Sequence, residues 1–198
     1  MENPVVTIFA SLLEGISVTH VVQGIIIGGV LAFITAQLLG RTKIKKVNGW
    51  RTMYGFGVPG NGMLLRAASY QVFPGPVNVP QEAMYWTTSV AGRGNYIIHF
   101  PPGGLPPNDA FWSLTMSDAN NDFVKNPIDR YAVNDRSHLA QNPDGSIDIY
   151  LESTPPAGHE SNWLPAPTRK FILWLRVYMP GAAILEGSYQ VPPVVKMK

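Results

Sequence analysis

The 198-residue chain contains no cysteine, which excludes disulfides, thiolate metal sites and a cysteine nucleophile. Charge is scarce: 14% of residues are Asp, Glu, Lys or Arg, and none of the four occurs between Glu14 and Arg41. No stretch after Gly40 carries an amphipathic helical pattern longer than two turns, which argues against a helical bundle. A broad basic face is also missing. Five cations, Arg41, Lys43, Lys45, Lys46 and Arg51, crowd residues 41–51, and from Thr52 onward ten basic side chains stand against eleven acidic ones. The formal charge of +2 therefore reflects one local patch, and a nucleic-acid partner is not expected.

What the uncharged stretch does contain is a continuous apolar run, residues 21–39, whose length matches a hydrocarbon core. A cleaved signal peptide needs a basic leader, and Met1-Glu2-Asn3-Pro4 supplies no basic side chain. The reading is a single transmembrane helix over 19–40, followed by a basic juxtamembrane linker over 41–51 that contacts anionic lipid headgroups. The preceding segment, 1–18, is apolar in 5–13 but too short to cross, and reads as an interfacial helix or an upstream turn of the same helix. With five cations after the span and none before it, the positive-inside rule places the N-terminus outside and the large domain in the cytoplasm. Gly24, Gly28, Ala32 and Ala36 recur every four residues, and Gln23 lies beside them. Small residues at that spacing let a second helix approach closely. The expected partners are other transmembrane subunits in a hetero-complex, or a second copy of the chain.

Gly and Pro, 19 and 18 residues, are spread along the chain and favour short strands joined by tight turns. Alternation is clear at Ile147, Ile149 and Leu151, and in Phe111-Trp112-Ser113-Leu114-Thr115-Met116-Ser117, where the odd positions 113, 115 and 117 carry hydroxyls. Residues 170–178 are apolar on both faces apart from Arg176, as a central strand is. Residues 83–90 and 95–100 read as two strands joined by the short turn Ala91-Gly92-Arg93-Gly94. The expected fold is mainly β: an antiparallel, jelly-roll-like β-sandwich over 52–198, preceded by one transmembrane α-helix.

Four motifs in order resemble one bacterial family, the domain of unknown function numbered 1214. They are Ala110-Phe111-Trp112-Ser113-Leu114-Thr115-Met116, Asn126-Pro127-Ile128-Asp129-Arg130-Tyr131, Asn142-Pro143-Asp144-Gly145-Ser146 and Asn162-Trp163-Leu164-Pro165-Ala166-Pro167. The likeness runs over about 78–193 and ends in Arg176-Val177-Tyr178-Met179-Pro180 and Gly187-Ser188-Tyr189. The resemblance implies a jelly-roll-like sandwich with no settled chemistry, and weak analogy to carbohydrate-handling sandwiches. The family is bacterial, so the apolar helix reads as an inner-membrane span; the chain departs from the family where a companion domain is replaced by that helix and a first inter-strand loop is cut to residues 91–94. Many relatives are exported, which argues for the opposite side of the membrane from the charge rule.

Among chemistry-bearing residues, His20, His99, His138 and His159 show no ligand-like spacing, so no metal site is expected. Neighbours in extended chain point opposite ways, so His159-Glu160-Ser161 does not read as a triad. No catalytic residue and no cofactor is expected. Asp118, Asp122 and Asp129 read as turn caps, and Gly55-Phe56-Gly57-Val58-Pro59-Gly60 lacks the strand–helix context of a phosphate loop. Candidate ligand or partner contacts are Arg130, His159, Glu160 and Trp163, the last as an exposed aromatic in a Pro-rich loop. Trp112, Asn126, Tyr131, Asp144, Gly145 and Arg176 are expected to be structural, with Arg176 paired to a carboxylate or to carbonyls and Arg130 clamping Asp129 or Asp144. The leading functional expectation is a non-enzymatic accessory subunit of a larger membrane complex, respiratory, photosynthetic or transport-related. The alternative is a membrane-tethered domain that binds glycans or lipid headgroups, or a hydrolase.

Overall fold

The structure, a computed structural model, describes residues 17–54, 58, 60, 62–73 and 78–198. The expected interfacial segment and most of the 55–60 glycine loop lie outside the described residues.

The first element, α1 (Val18–Arg41), is 24 residues long. At 1.5 Å per residue it measures about 36 Å, enough to cross a bilayer. Ser17 caps its start, the hydroxyl accepting from the His20 amide at 3.3 Å, and Arg41 in the last turn complements the helix dipole. Its apolar side chains are exposed along nearly the whole length.

Residues 41–51, expected as a linker, instead enter the sheet. β1 (Ile44–Val47) and β2 (Trp50–Met53) form a hairpin across Asn48-Gly49, both with positive φ, 52° and 81°. Two such residues give the turn whose twist matches the strands, and Asn and Gly tolerate it best. Trp50 anchors the hairpin, its indole N–H donating to the Pro192 carbonyl at 2.8 Å.

A second correction is α2 (Met63–Val72), a helix inside the region expected to be all β. Its pattern escapes notice because Met63 and Leu64 are exposed, at 85% and 81%, while the small Ala68 and Ser69 are the buried positions. α2 lies on the last turn of α1. A Cβ on Gly40 would stand 2.3 Å from the Ala68 carbonyl oxygen and 2.7 Å from Val72, so only glycine permits this approach.

The remaining strands are β3 (Ala83–Val90), β4 (Tyr96–Phe100), β5 (Asn108–Asp118), β6 (Ala132–Asn134), β7 (Ile147–Glu152), β8 (Trp163–Pro165), β9 (Phe171–Pro180) and β10 (Val194–Lys196), with a one-turn α3 (Ala182–Leu185) after β9. They build two facing sheets, β1-β2-β3-β9-β5-β6 and β10-β4-β7-β8. All pairs are antiparallel except β7–β8, which is parallel. The chain is thus mainly β, a two-sheet sandwich after one long apolar helix. β3 and β4 lie in different sheets, so residues 91–94 form a crossover and not a hairpin. Gly92, at φ 74°, passes so close to Arg169 that a Cβ would meet its carbonyl oxygen at 2.4 Å.

β9 is the central strand of the larger sheet. Phe171, Leu173, Leu175 and Val177 point into the core with exposures of 0%, and meet Ile98, Ile149, Leu151 and Leu164 of the smaller sheet. Tyr96 packs edge-on against Phe171, and Phe100 lies against Trp112, joining the layers. Each such apolar side chain contributes roughly 1.5–3 kcal/mol by leaving water.

Gly40→Leu is expected to separate α2 from α1 at a cost of about 1–3 kcal/mol. Hydrogen exchange should show lost amide protection in Met63–Val72 with the strands unchanged; unaltered protection there would contradict the close contact.

Candidate functional site

Because side chains alternate across a strand, the even-numbered residues of β9 face away from the core. There Ile172, Trp174, Arg176 and Tyr178 are half-buried and not exposed. Register sets their neighbours: Arg176 lies between Tyr85 on β3 and Ser113 on β5, and Trp174 between Thr87 and Thr115. The hydroxyl stripe of β5 thus faces outward beside the arginine. Asn78, Asn121 and Phe123 complete a cavity of about 570 Å³ over this face with Tyr85, Thr115, Ser117, Trp174, Arg176 and Tyr178.

The loop that walls the cavity is locally determined. The Asp118 carboxylate accepts from the amides of Asn120 and Asp122 at 2.8 and 3.1 Å, the turn-capping role expected for it. This turn holds Asn121 at φ 69°, and its side-chain oxygen accepts from the Trp174 indole N–H at 3.2 Å. On the far side Phe73, at the end of α2, packs edge-on against Trp174 with ring centroids 6.0 Å apart.

Two groups in the cavity lack ordinary partners. Arg176 donates to the Thr115 hydroxyl at 2.7 Å, and no carboxylate pairs with it among the described residues. That contact uses one of five guanidinium donors. The expectation of a carboxylate or carbonyl partner for Arg176 is therefore corrected: it sits on the open face of the sheet, not inside it. Ser117 is 3% exposed, and its hydroxyl has no hydrogen-bond partner among the described residues. A buried polar atom of this kind is uncommon and costs about 1–3 kcal/mol.

Tyr85 donates to Asn78 at 3.1 Å, and Asn78 donates to Glu82. Burial, then the neighbouring Tyr178, push the Tyr85 phenol up to about 12 despite the opposing pull of Arg176. Among the described residues that line the cavity there is no histidine or carboxylate. The arrangement offers a fixed cation, hydroxyl and amide groups, and aromatic walls. That is equipment for binding an anion with a flat or apolar body.

Residues 87–182 match the family model DUF1214, described as a protein of unknown function. This stretch is similar to the DUF1214 family. The matched range is narrower than the 78–193 read from the motifs, and it holds every cavity residue except Asn78 and Tyr85. Among solved structures, the VPA0106 protein of Vibrio parahaemolyticus is similar over 70% of this chain, at 25% identity and a TM-score of 0.57. The chain spans 36% of that protein's length. An uncharacterised protein of Burkholderia cenocepacia matches at 14% identity and a TM-score of 0.42, covering 89% of this chain and 50% of its own. No curated protein matches the chain.

Within the matched stretch the residues singled out in the sequence fall elsewhere than the cavity, Arg176 excepted. Trp163 is not exposed: it is 3% accessible, starts β8, and donates its indole N–H to the Glu152 carbonyl at 2.8 Å. Its loop is drawn inward because β8 pairs with β7. Arg130 does not clamp Asp129 or Asp144. It donates to the carbonyls of Glu160, Ser161 and Trp163 at 2.9, 3.3 and 2.9 Å, closing the turn that precedes β8. His159 lies against the Tyr150 ring, and Glu160 accepts from the Gly158 amide. Asn126 braces its own loop through Val124, Ile128 and Arg130, and Tyr131 donates to Asp129. Asp144 accepts from the Ser146 hydroxyl and amide, which hold its carboxyl below the usual range, and Gly145 takes the left-handed turn position at φ 83°. Trp112 is in the core. One pair went unforeseen: His99 on β4 meets Asp148 on β7 at 2.7 Å, and Asp148 also accepts from Asn142, tying the 142–146 turn to the smaller sheet.

The raised phenol gives a pH signature. Tyr85 keeps its proton in the fold after an unfolded chain loses it at the ordinary value of 10.0, so its contribution is full below pH 10 and is lost as pH rises toward about 12. Absorbance titration of Tyr85→Phe should lack one tyrosinate step near pH 12; loss of a step near pH 10 instead would contradict the packing described.

Proposed function

We propose that this chain is a membrane-tethered binding module whose outward sheet face holds an acidic sugar. The observation that carries the reading is Arg176, without a carboxylate partner among the described residues, in a cavity of about 570 Å³ beside the unpartnered Ser117 hydroxyl. A sugar carboxylate would pair with the guanidinium, and ring hydroxyls would meet Ser117, Thr115 and Asn121. The ring would stack on Trp174, whose face is a large apolar surface with its N–H already engaged. α1, long and apolar enough to cross a membrane, supplies the tether. By the positive-inside rule the domain lies on the cytoplasmic side of a bacterial inner membrane.

Calorimetric titration of the full chain in detergent should give heat with uronic-acid oligosaccharides and little with neutral ones. Arg176→Gln should weaken binding roughly tenfold to a hundredfold, the range of a hydrogen-bonded charge. Equal affinity for neutral sugars, or no effect of the substitution, would sink the reading.

A second reading, an accessory subunit of a membrane complex, is favoured by α1 itself. A Cβ at Gly24 or Gly28 would meet nothing within 4 Å, so this face, with the exposed Gln23 and Ala32 and the half-buried Ala36 along it, has room for another helix. Gly24→Leu with Gly28→Leu should reduce the size of the assembly extracted in mild detergent. An unchanged size argues against a helix partner, and an assembly of this chain alone identifies a homo-oligomer.

A further inference from the structure

The basic cluster after α1 is not one patch. Lys46 and Arg51 stand directly opposite one another in the β1–β2 ladder, so both side chains leave the same face of the hairpin. With Arg41 and Ile44 they line a groove of about 380 Å³ at the end of α1. Lys45, one position along, faces the other way, its ammonium 4.5 Å from the centre of the Tyr54 ring. Like charges opposed across a ladder destabilise it unless something neutralises them. The chain has no Asp or Glu between Glu14 and Glu82, and neither Lys46 nor Arg51 forms an ion pair among the described residues. The Arg51 guanidinium is held in place by donating to the Val72 carbonyl at 3.3 Å, and Arg41 by donating to Gln37 at 3.4 Å.

We propose that Arg41, Lys46 and Arg51 form a defined site for the phosphate of an anionic lipid headgroup. The site rests on α1 crossing the membrane, as in the reading above, but not on the sheet cavity. Arg41 is the last residue of α1, which sets the groove at the level where headgroup phosphates lie. α2 packs on the same helix end through Gly40 and carries the exposed Met63 and Leu64, apolar surface suited to the neighbouring acyl boundary. Phosphate on its own has the same chemistry, so the test separates the two sources.

Native mass spectrometry of the full chain in micelles, titrated with phosphatidylglycerol, phosphatidylcholine or inorganic phosphate, reads the site directly. One phosphatidylglycerol should be retained at least tenfold better than phosphatidylcholine. Arg41→Gln or Lys46→Gln, both at exposed positions, should abolish that preference, whereas Lys45→Gln and Arg176→Gln should keep it. No preference for the anionic lipid, or an equal loss with Lys45→Gln, overturns the site in favour of a diffuse basic surface. Displacement of the lipid by equimolar inorganic phosphate overturns the lipid as occupant. Loss with Arg176→Gln alone would move the lipid to the sheet cavity and would count against the acidic sugar there.

Discussion

The register of β9 between β3 and β5 is the constraint on which the rest of the molecule depends. Its side chains alternate between two environments: Phe171, Leu173, Leu175 and Val177 seal the sandwich, while Trp174, Arg176 and Tyr178 line the outward cavity. A slip of one residue would bury the guanidinium and expose four core side chains. Core stability therefore enforces the geometry of the site, and Arg176 stays on the open face because its neighbours along the strand cannot leave the interior. The same pairing carries Tyr85 and the hydroxyls of Thr115 and Ser117 to their places.

The membrane-proximal end is tied to this sheet by a chain of contacts. Gly40 lets α2 close on α1, Arg51 donates to the Val72 carbonyl at the end of α2, and Phe73 packs on Trp174 at the cavity wall. Trp50 and Asn48 fasten the hairpin to the carbonyls of Pro192 and Val191 near the C-terminus. The helix end, the basic groove and the cavity thus share one packed seam.

Much of the sandwich was legible in the sequence because strand alternation is a local property. Ile147, Ile149 and Leu151, the β5 pattern and the doubly apolar β9 all read correctly. What failed depended on distant contacts or on ambiguous local signals. The Asn48-Gly49 turn is a strong hairpin signal, yet the surrounding cations read as a linker because their sequence spacing does not reveal that Lys45 and Lys46 take opposite faces. α2 has its buried stripe made of small residues, which hydropathy periodicity underweights. Residues 91–94 are short enough for a hairpin, and only the placement of β4 in the other sheet makes them a crossover. Trp163 read as exposed because Pro165 and Pro167 follow closely, but a parallel pairing with β7 buries it. Both halves of the cavity, the β5 hydroxyls and Arg176 within an apolar strand, were visible separately; their meeting on one face required the β5–β9 register.

The most direct test of the account is a crystal structure of the full chain purified from the membranes in which it is made. The account predicts a bound acidic molecule over β9, with an oxygen within hydrogen-bonding distance of the Arg176 guanidinium and another at the Ser117 hydroxyl. A cavity filled by the chain's own residues, or an Arg176 turned to a carboxylate of the protein, would contradict it.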